Sequence, residues 1–304
     1  MNSPKINIII ASYNCKKVWF RALDSLLKSK YPNFRVIVVD NRSTDDTVKE
    51  GIKKYSKVRW IDSGIKNIGW GGSYNLGIAK SDPNSDVVVF DSDVVATPEL
   101  LTQLSLSAYK NTKVGIVTPM ILYLNDKNWV NQAGAEVNLW TGLTKIGWGP
   151  KKDFQESKVV QNSGTVLYIK REVINKIGGF DNWFIGYLDP DYCLRAKRVG
   201  FSTWYEPQAV SYHDQSKEAT DWTPRLLKRS YITMRNRILF MRRHSKNLGV
   251  FMLVLVPLTF YYCLLSFKYH NIGAIGELFR GIVSGFTFKL NSGNKISLNV
   301  RQIA

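Results

Sequence analysis

Four short β-branched runs, separated by stretches with helical spacing, constrain the fold of this chain more than any other feature. They are Ile6-Asn7-Ile8-Ile9-Ile10, Arg35-Val36-Ile37-Val38-Val39, Val58-Arg59-Trp60-Ile61 and Asp86-Val87-Val88-Val89-Phe90. Each reads as a strand. Between them Lys16 to Lys28, with Val18, Ala22 and Leu26 in register, and Asp45 to Tyr55 carry helix formers at helical spacing. The alternation predicts an α/β fold, a mostly parallel sheet with helices on both faces.

In such sheets ligands bind beyond the carboxyl ends of the strands, so the residues after each run carry the functional information. Ser12-Tyr13-Asn14 follows the first run and Asp40 to Thr47 the second. Lys66 to Asn75, with Asn67, Gly69, Gly71 and Gly72, follows the third, and Asp91-Ser92-Asp93 follows the fourth. Polar and acidic groups therefore converge on one edge. Asp91 and Asp93 offer paired carboxylates of the kind that hold Mg²⁺ or Mn²⁺ together with substrate phosphates, although a D-x-D alone is more often a solvated turn. Ser43, Thr44 and Asp45 read as cap chemistry for the next helix, with Asp40 left to accept a hydrogen bond from a base edge. The glycines are either ordinary turn residues or sites where backbone approaches a ribose or diphosphate closely.

Trp129 to Lys170 is Gly-rich and strand-like. Gly178-Gly179-Phe180-Asp181 then leads to Tyr187-Leu188-Asp189-Pro190-Asp191-Tyr192 at the start of a helix ending near Gly200, and Phe201 to Glu206 reads as another strand. The two acids there are either favourable first-turn charges or include a general base. His213 is one of three histidines; a lone histidine is more often structural than a ligand.

Composition narrows the class. Of the 304 residues 44% are hydrophobic and 12% aromatic, and the 22 Gly show no repeat, which excludes disordered and collagen-like chains. Cys15, Cys193 and Cys263 form no metal or disulfide spacing, so a reducing compartment is expected. The formal charge of +18 is concentrated late: from Arg195 onward there are 17 basic residues against five acids. No acid lies between Arg225 and Lys246, and Asn247 to Phe267 is uncharged. A basic segment abutting an apolar one predicts contact with anionic lipid at a membrane surface rather than with nucleic acid.

Taken together these stretches resemble glycosyltransferase family 2, the inverting nucleotide-sugar transferases of the GT-A fold, and among them the rhamnosyltransferase-like members. The resemblance runs over roughly residues 5 to 215. It implies a donor site from Ser12, Tyr13, Asn14, Asp40, Asn41, Ser43, Asn67, Gly69, Gly72, Asn75, Asp91 and Ser92. It implies a Mg²⁺ or Mn²⁺ site from Asp91, Asp93 and His213, and a catalytic base at Asp189. Burial against Trp183, Phe184 and Leu188 would raise the pKa of that base. Leu188 departs from the family pattern, which has Glu there. Trp183, Asp191, Arg235 and Asn236 are the implied acceptor-side residues, the last two from a Tyr-x-x-x-Arg-Asn element beginning at Tyr231.

The implied activity is transfer of a sugar, rhamnose among the candidates, from a nucleotide-diphosphate sugar to a lipid-linked or polysaccharide hydroxyl. The alternative is a non-catalytic protein that binds a nucleotide or an anionic lipid on the same sheet; retention of Asp93 and Asp189 argues against it. The expected organisation is a catalytic domain over 1–220, with a nucleotide-sugar half to about 118 and an acceptor half beyond it, and a basic, apolar helical tail over 221–304. The tail is expected to be a monotopic anchor kinked or paired at Pro257. That would make the protein cytoplasmic and peripheral at the inner membrane face.

Overall fold

The computed structural model describes residues 3–66, 68–162, 164–215, 223–290, 295 and 297. Its first part alternates as expected: β1 (Ile6–Ser12), α1 (Lys16–Leu27), β2 (Phe34–Asp40), α2 (Thr47–Lys54), β3 (Arg59–Asp62), α3 (Gly69–Ala79) and β4 (Asp86–Phe90). The middle adds β5 (Val94–Ala96), α4 (Leu100–Tyr109), β6 (Val114–Tyr123), β7 (Trp129–Gln132), β8 (Ala135–Val137), β9 (Thr144–Ile146), β10 (Gly149–Pro150), β11 (Lys158–Val160) and β12 (Val166–Ile169). Then come α5 (Arg171–Ile177), α6 (Leu188–Arg198) and β13 (Ser202–His213), followed by the helices α7 (Thr223–Lys228), α8 (Ser230–His244), α9 (Leu248–Lys268) and α10 (Gly273–Thr287).

The main sheet has the order β10-β7-β6-β12-β4-β1-β2-β3. β1 is parallel to β2 and β4, and β2 to β3, while β12 runs antiparallel between β4 and β6. Alternate residues of β1 enter different cores. Ile6, Ile8 and Ile10 pack with Trp19, Leu23 and Leu26 of α1 and Leu104 of α4, whereas Ile9 and Ala11 pack with Tyr74 and Ile78 of α3. Burial on both faces is why these strands read as continuous apolar runs. The register sets Ser12 opposite Asp40, Asp40 opposite Asp62 and Ile10 opposite Phe90, so the strand ends share one edge.

The segment whose glycines read as turn residues is largely helix. Gly69, at φ +72°, opens the turn into α3. A Cβ on Gly77 would collide with Ile9 Cγ2 of β1. Close packing of helix on sheet outweighs the poor helix propensity of glycine here.

The composition change near residue 220 is not a packing boundary. Met234, Ile238, Leu239, Phe240 and Met241 of α8, Phe251 and Leu255 of α9, and Leu278 of α10 share a core with Val137, Phe184 and Leu194. Helix α9 continues through Pro257, which lies on its exposed side. The carbonyl that proline leaves unpaired is that of Leu253, itself 76% exposed.

Candidate active site

The loops at the strand ends are tied to one another. Asn14, at φ +47°, accepts at Oδ1 from Thr44 N (2.8 Å), and its own backbone N–H donates to Ser43 Oγ (3.0 Å). Both oxygens of Asp40 accept from Ser43, from Oγ at 2.6 Å and from N at 2.9 Å, so Asp40 shapes this loop. Asn41 Nδ2 donates to Ser73 Oγ (2.8 Å), and Asn41 Oδ1 is buried without a partner. Tyr13 and Asn14 are exposed; Ser12 is fully buried, with Oγ 3.5 Å from Cys15 Sγ. Ser92 sits beside the same thiol, whose pKa burial raises.

Asp91 and Asp189 line one cavity of about 160 Å³ together with Trp70, Tyr74, Thr165, Gly186 and Leu188. Tyr74 Oη donates to Asp91 Oδ1 at 2.6 Å. Burial and the neighbouring Asp93 charge push Asp91 up to about 6. Burial and then the Asp91 charge push Asp189 up to about 8, the direction anticipated from its apolar neighbours.

Asp93 and His213 meet through strand register. β13 pairs antiparallel with β5, setting His213 opposite Val94, and Asp214 N donates to Asp93 O (2.8 Å). His213 Nε2 then lies 3.2 Å from Asp93 Oδ2. The other ring nitrogen, Nδ1, lies 3.1 Å from Asn131 Oδ1. Burial works to raise the Asp93 carboxyl, but the hydrogen bond and charge of His213 outweigh it and hold its pKa below the ordinary value.

Asp91, Asp93 and His213 act on one another's charge, and a dication beside them would relieve the repulsion between the two acids. Among the described residues no three His, Cys, Asp or Glu side chains are arranged to hold a metal alone. Mg²⁺ and Mn²⁺ bind in that manner, through one or two carboxylates and substrate phosphates.

Several residues named from the sequence have a different setting from the one expected. Asn67 lies outside the described residues. Gly72 is inside α3, where a Cβ would lie 2.9 Å from Asn182 Nδ2; Gly71 packs equally closely on Asn182 and Leu188. Gly71 and Gly72 thus let α3 pack closely on Asn182 and Leu188. Asn75 is buried and bonds both ways to the Phe180 backbone, at 2.7 and 2.8 Å.

Asp191, expected on the acceptor side, is fully buried. It accepts from Arg195 Nε (2.9 Å), Arg243 Nη1 (2.9 Å) and His244 Nε2 (2.8 Å). Burial alone would raise its pKa, but the His244 hydrogen bond and the two arginine charges hold it far below the carboxylate range. Asn236 is also fully buried, and its Nδ2 donates to Ile185 O (2.8 Å). Trp183 is half-buried, and Arg235 is 6% exposed beside it. Sequence reasoning missed Tyr74, Trp70 and Asn131. A tyrosine and a tryptophan among glycines at a strand end were the available signal for the first two; Asn131 carried none.

A mixed sheet flanked by helices, with this strand order, is the arrangement of the GT-A fold. The solved structure of the mannosyltransferase PcManGT from Pyrobaculum calidifontis, in complex with GDP-Man and Mn²⁺, has it too, with TM-score 0.56 and 17% identity over 94% of this chain and 76% of that one. Glycosyl transferase family 2 matches residues 7–178, more than half of the chain, and the chain belongs to that family. It is 30% identical to the dTDP-rhamnosyl transferase RfbF of Shigella flexneri over 70% of each chain. It is 24% identical to the probable glycosyltransferase YdaM of Bacillus subtilis (strain 168) over 72% of this chain, and it spans only about half (53%) of that relative's length.

Proposed function

We propose that the protein is an inverting glycosyltransferase that moves a sugar, rhamnose by analogy with RfbF, from a nucleoside diphosphate to the hydroxyl of a lipid-linked acceptor. The observation that carries this reading is the shared cavity: a carboxylate with a raised pKa, Asp189, faces Asp91 across a space of about 160 Å³. Asp189 takes the acceptor hydroxyl proton as the new bond forms at the anomeric carbon and the bond to the diphosphate breaks on the opposite face. The reacting sugar has oxocarbenium character, as in glycoside hydrolysis. A pKa near working pH suits a base that must be ionised to act and must hold the proton afterwards.

Asp91, Asp93 and His213 are the residues that would hold Mg²⁺ or Mn²⁺, and the chemistry such an ion supplies is neutralisation of charge on the leaving diphosphate. Tyr74 fixes Asp91, and Asn131 fixes the His213 ring. The knotted loops of Tyr13, Asn14, Asp40 and Ser43, with Asn41 and Gly69, form the nucleotide side. Trp183 and Arg235 form the acceptor side.

The tail supports work at a membrane on the cytoplasmic side. Helix α9 has mean hydropathy 2.2 with 17% of that span buried, which makes it long and apolar enough to cross a bilayer. Phe251, Leu255 and Tyr262 face the protein core, however, while Leu253, Val256, Phe260 and Phe267 are exposed. One face in protein and one outside is the pattern of a helix lying in the interface.

Nucleoside diphosphate release from a panel of donors, with dTDP-rhamnose, GDP-mannose and UDP-sugars included and Mg²⁺ or Mn²⁺ present, tests the reading. Turnover with one donor, lost in Asp189→Asn, is expected. Donor binding without any release or transfer would make the protein a binding module instead.

A further inference from the structure

A second cavity, of about 600 Å³ and so larger than the one that holds Asp189, lies at the opposite edge of the sheet. Register fixes its place. Ser202 at the start of β13 is opposite Val114 at the start of β6, and Thr203 is opposite Val160 of β11, while His213 ends the same strand at the catalytic edge. Helices α4 and α6 flank the cavity with their C-terminal ends, the first through Ser107 and its capping Lys110, the second through Cys193, Leu194 and Lys197.

The lining combines two kinds of chemistry. Val114, Val159, Leu194, Phe201 and Trp204 make its walls mostly apolar, and Lys110, Lys113 and Lys197 stand around them. Among the described residues no Asp or Glu lines it. The carboxylate behind Ser107, Glu206, is buried and accepts from Ser107 Oγ (3.1 Å), Ser157 Oγ (3.2 Å) and Gln208 N (3.1 Å). A lysine suits the C-terminal end of a helix dipole, which accounts for Lys110 and Lys197. It does not account for Lys113, in the turn before β6, or for an apolar hollow left among three cations. Apolar walls alone would suit a neutral hydrocarbon, and lysines alone any small anion. Together they suit a molecule that has both parts, with its chain out of water against the walls and its charge among ammonium groups on flexible stems. The volume falls in the range of small-molecule sites, ~300–1,000 Å³. We infer that this cavity binds a single-chain anionic amphiphile, an alkyl chain that ends in a phosphate or carboxylate. None of its lining residues belongs to the reaction cavity, so the inference stands apart from the sugar-transfer reading.

The test is isothermal titration of the full chain, in EDTA and below micelle formation, with hexyl, octyl and decyl phosphate, octanoate and octanol. Affinity along the phosphate series should rise by roughly fourfold for each CH₂ that leaves water. Octyl phosphate or octanoate should bind at least tenfold tighter than octanol, and the tighter of the two identifies the head group. Val159→Asp, at a wall position that is 53% exposed and so tolerant of a charge, should weaken octyl phosphate at least tenfold. Lys113→Glu should weaken it at least threefold, and Leu253→Asp, on the exposed face of α9, should leave it unchanged. Affinity that ignores chain length, no preference for either anionic head over octanol, or wild-type affinity in Val159→Asp overturns the inference. So does a loss in Leu253→Asp, which would assign the binding to α9. If Val159→Asp does not fold, the exposed pair Lys113→Glu with Lys197→Glu decides: a tenfold loss supports the site and wild-type affinity overturns it.

Discussion

Two carboxylates two residues apart on α6 should respond in opposite ways to the same substitution. Asp191→Asn removes the anion that Arg195, Arg243 and His244 share within 2.9 Å. The amide can accept at only one atom, and its NH₂ would turn donors toward a cation. Breaking a buried ion pair from one side costs about 3–5 kcal/mol, a large part of a typical stability of roughly 5–15 kcal/mol. With an m-value of about 3 kcal/mol/M the urea midpoint should fall by roughly 1–1.7 M. Asp189→Asn should leave that midpoint where it is or raise it, because burial and Asp91 already disfavour its charge. Its transfer rate should instead fall by on the order of 10² or more, with donor affinity near wild type. Tryptophan-fluorescence urea titrations and nucleoside diphosphate release on both variants give the four numbers. An inactive but fully stable Asp191→Asn beside an active Asp189→Asn would exchange the two roles and refute the assignment. The acid profile follows the same logic. Burial lowers the pKa of His244, so its contribution is complete above its unfolded value of about 6.5 and is lost as pH falls below that. Asp191, with its pKa depressed, contributes fully above about pH 4 and loses that contribution at lower pH. Acid lability of wild type should therefore come in two stages, with the lower stage missing in Asp191→Asn.

Asp93→Ala should abolish transfer and a chelator should do the same to wild type, with His213→Ala less severe; full activity in excess chelator would remove the metal role. Gly71→Ala brings a Cβ into collision with Asn182 Oδ1 and to 3.0 Å from Leu188 Cδ1, an overpacking worth about 1–3 kcal/mol. Because Leu188 precedes Asp189, kcat should fall along with thermal stability, and a variant that matches wild type in both would show that the contact is slack. Wild type should float with anionic vesicles and be released in part by salt, since headgroup attraction is screened beyond about 8 Å at physiological ionic strength and apolar contact is not. The double change Leu253→Asp with Phe260→Asp, on the exposed face of α9, should abolish flotation, and retention would move the membrane contact elsewhere.

The sequence showed most plainly what is local. The four β-branched runs became β1 to β4, and the acids after the fourth lie at the edge where parallel strands end. Contacts set by long-range register were not legible in the local pattern: only the family resemblance joined His213 to Asp93, which it reaches because β13 pairs with β5, and nothing joined Asn131 to His213. The glycines after β3 were ambiguous for a physical reason. Turns and tight helix packing call for the same residue, and composition cannot separate them at Gly71 and Gly72. Asp189 and Asp191 were equally ambiguous, since both sit in the first turn of α6 with the same favourable dipole. What distinguishes them is α8, about fifty residues later.

That helix also changes the meaning of the basic tail. Read along the chain, Arg225 to Lys246 is one run of positive charge suited to headgroups. In the fold its arginines divide by what they meet. Arg243 binds Asp181 and Asp191, Arg237 donates to Tyr187 Oη at 3.1 Å, and Arg242 bonds the carbonyls of Gly285 and Phe288 at the end of α10. With Asn236 on Ile185, α8 thus holds residues 181, 185, 187 and 191, the stretch that carries Asp189, while Arg242 fastens the same helix to the apolar α10. The apolar α10 and the stretch that carries the base are therefore held by the same helix, α8. A surface anchor alone would leave that loop to be ordered by the sheet; in this protein the helix that orders it is the one to which the apolar tail is attached.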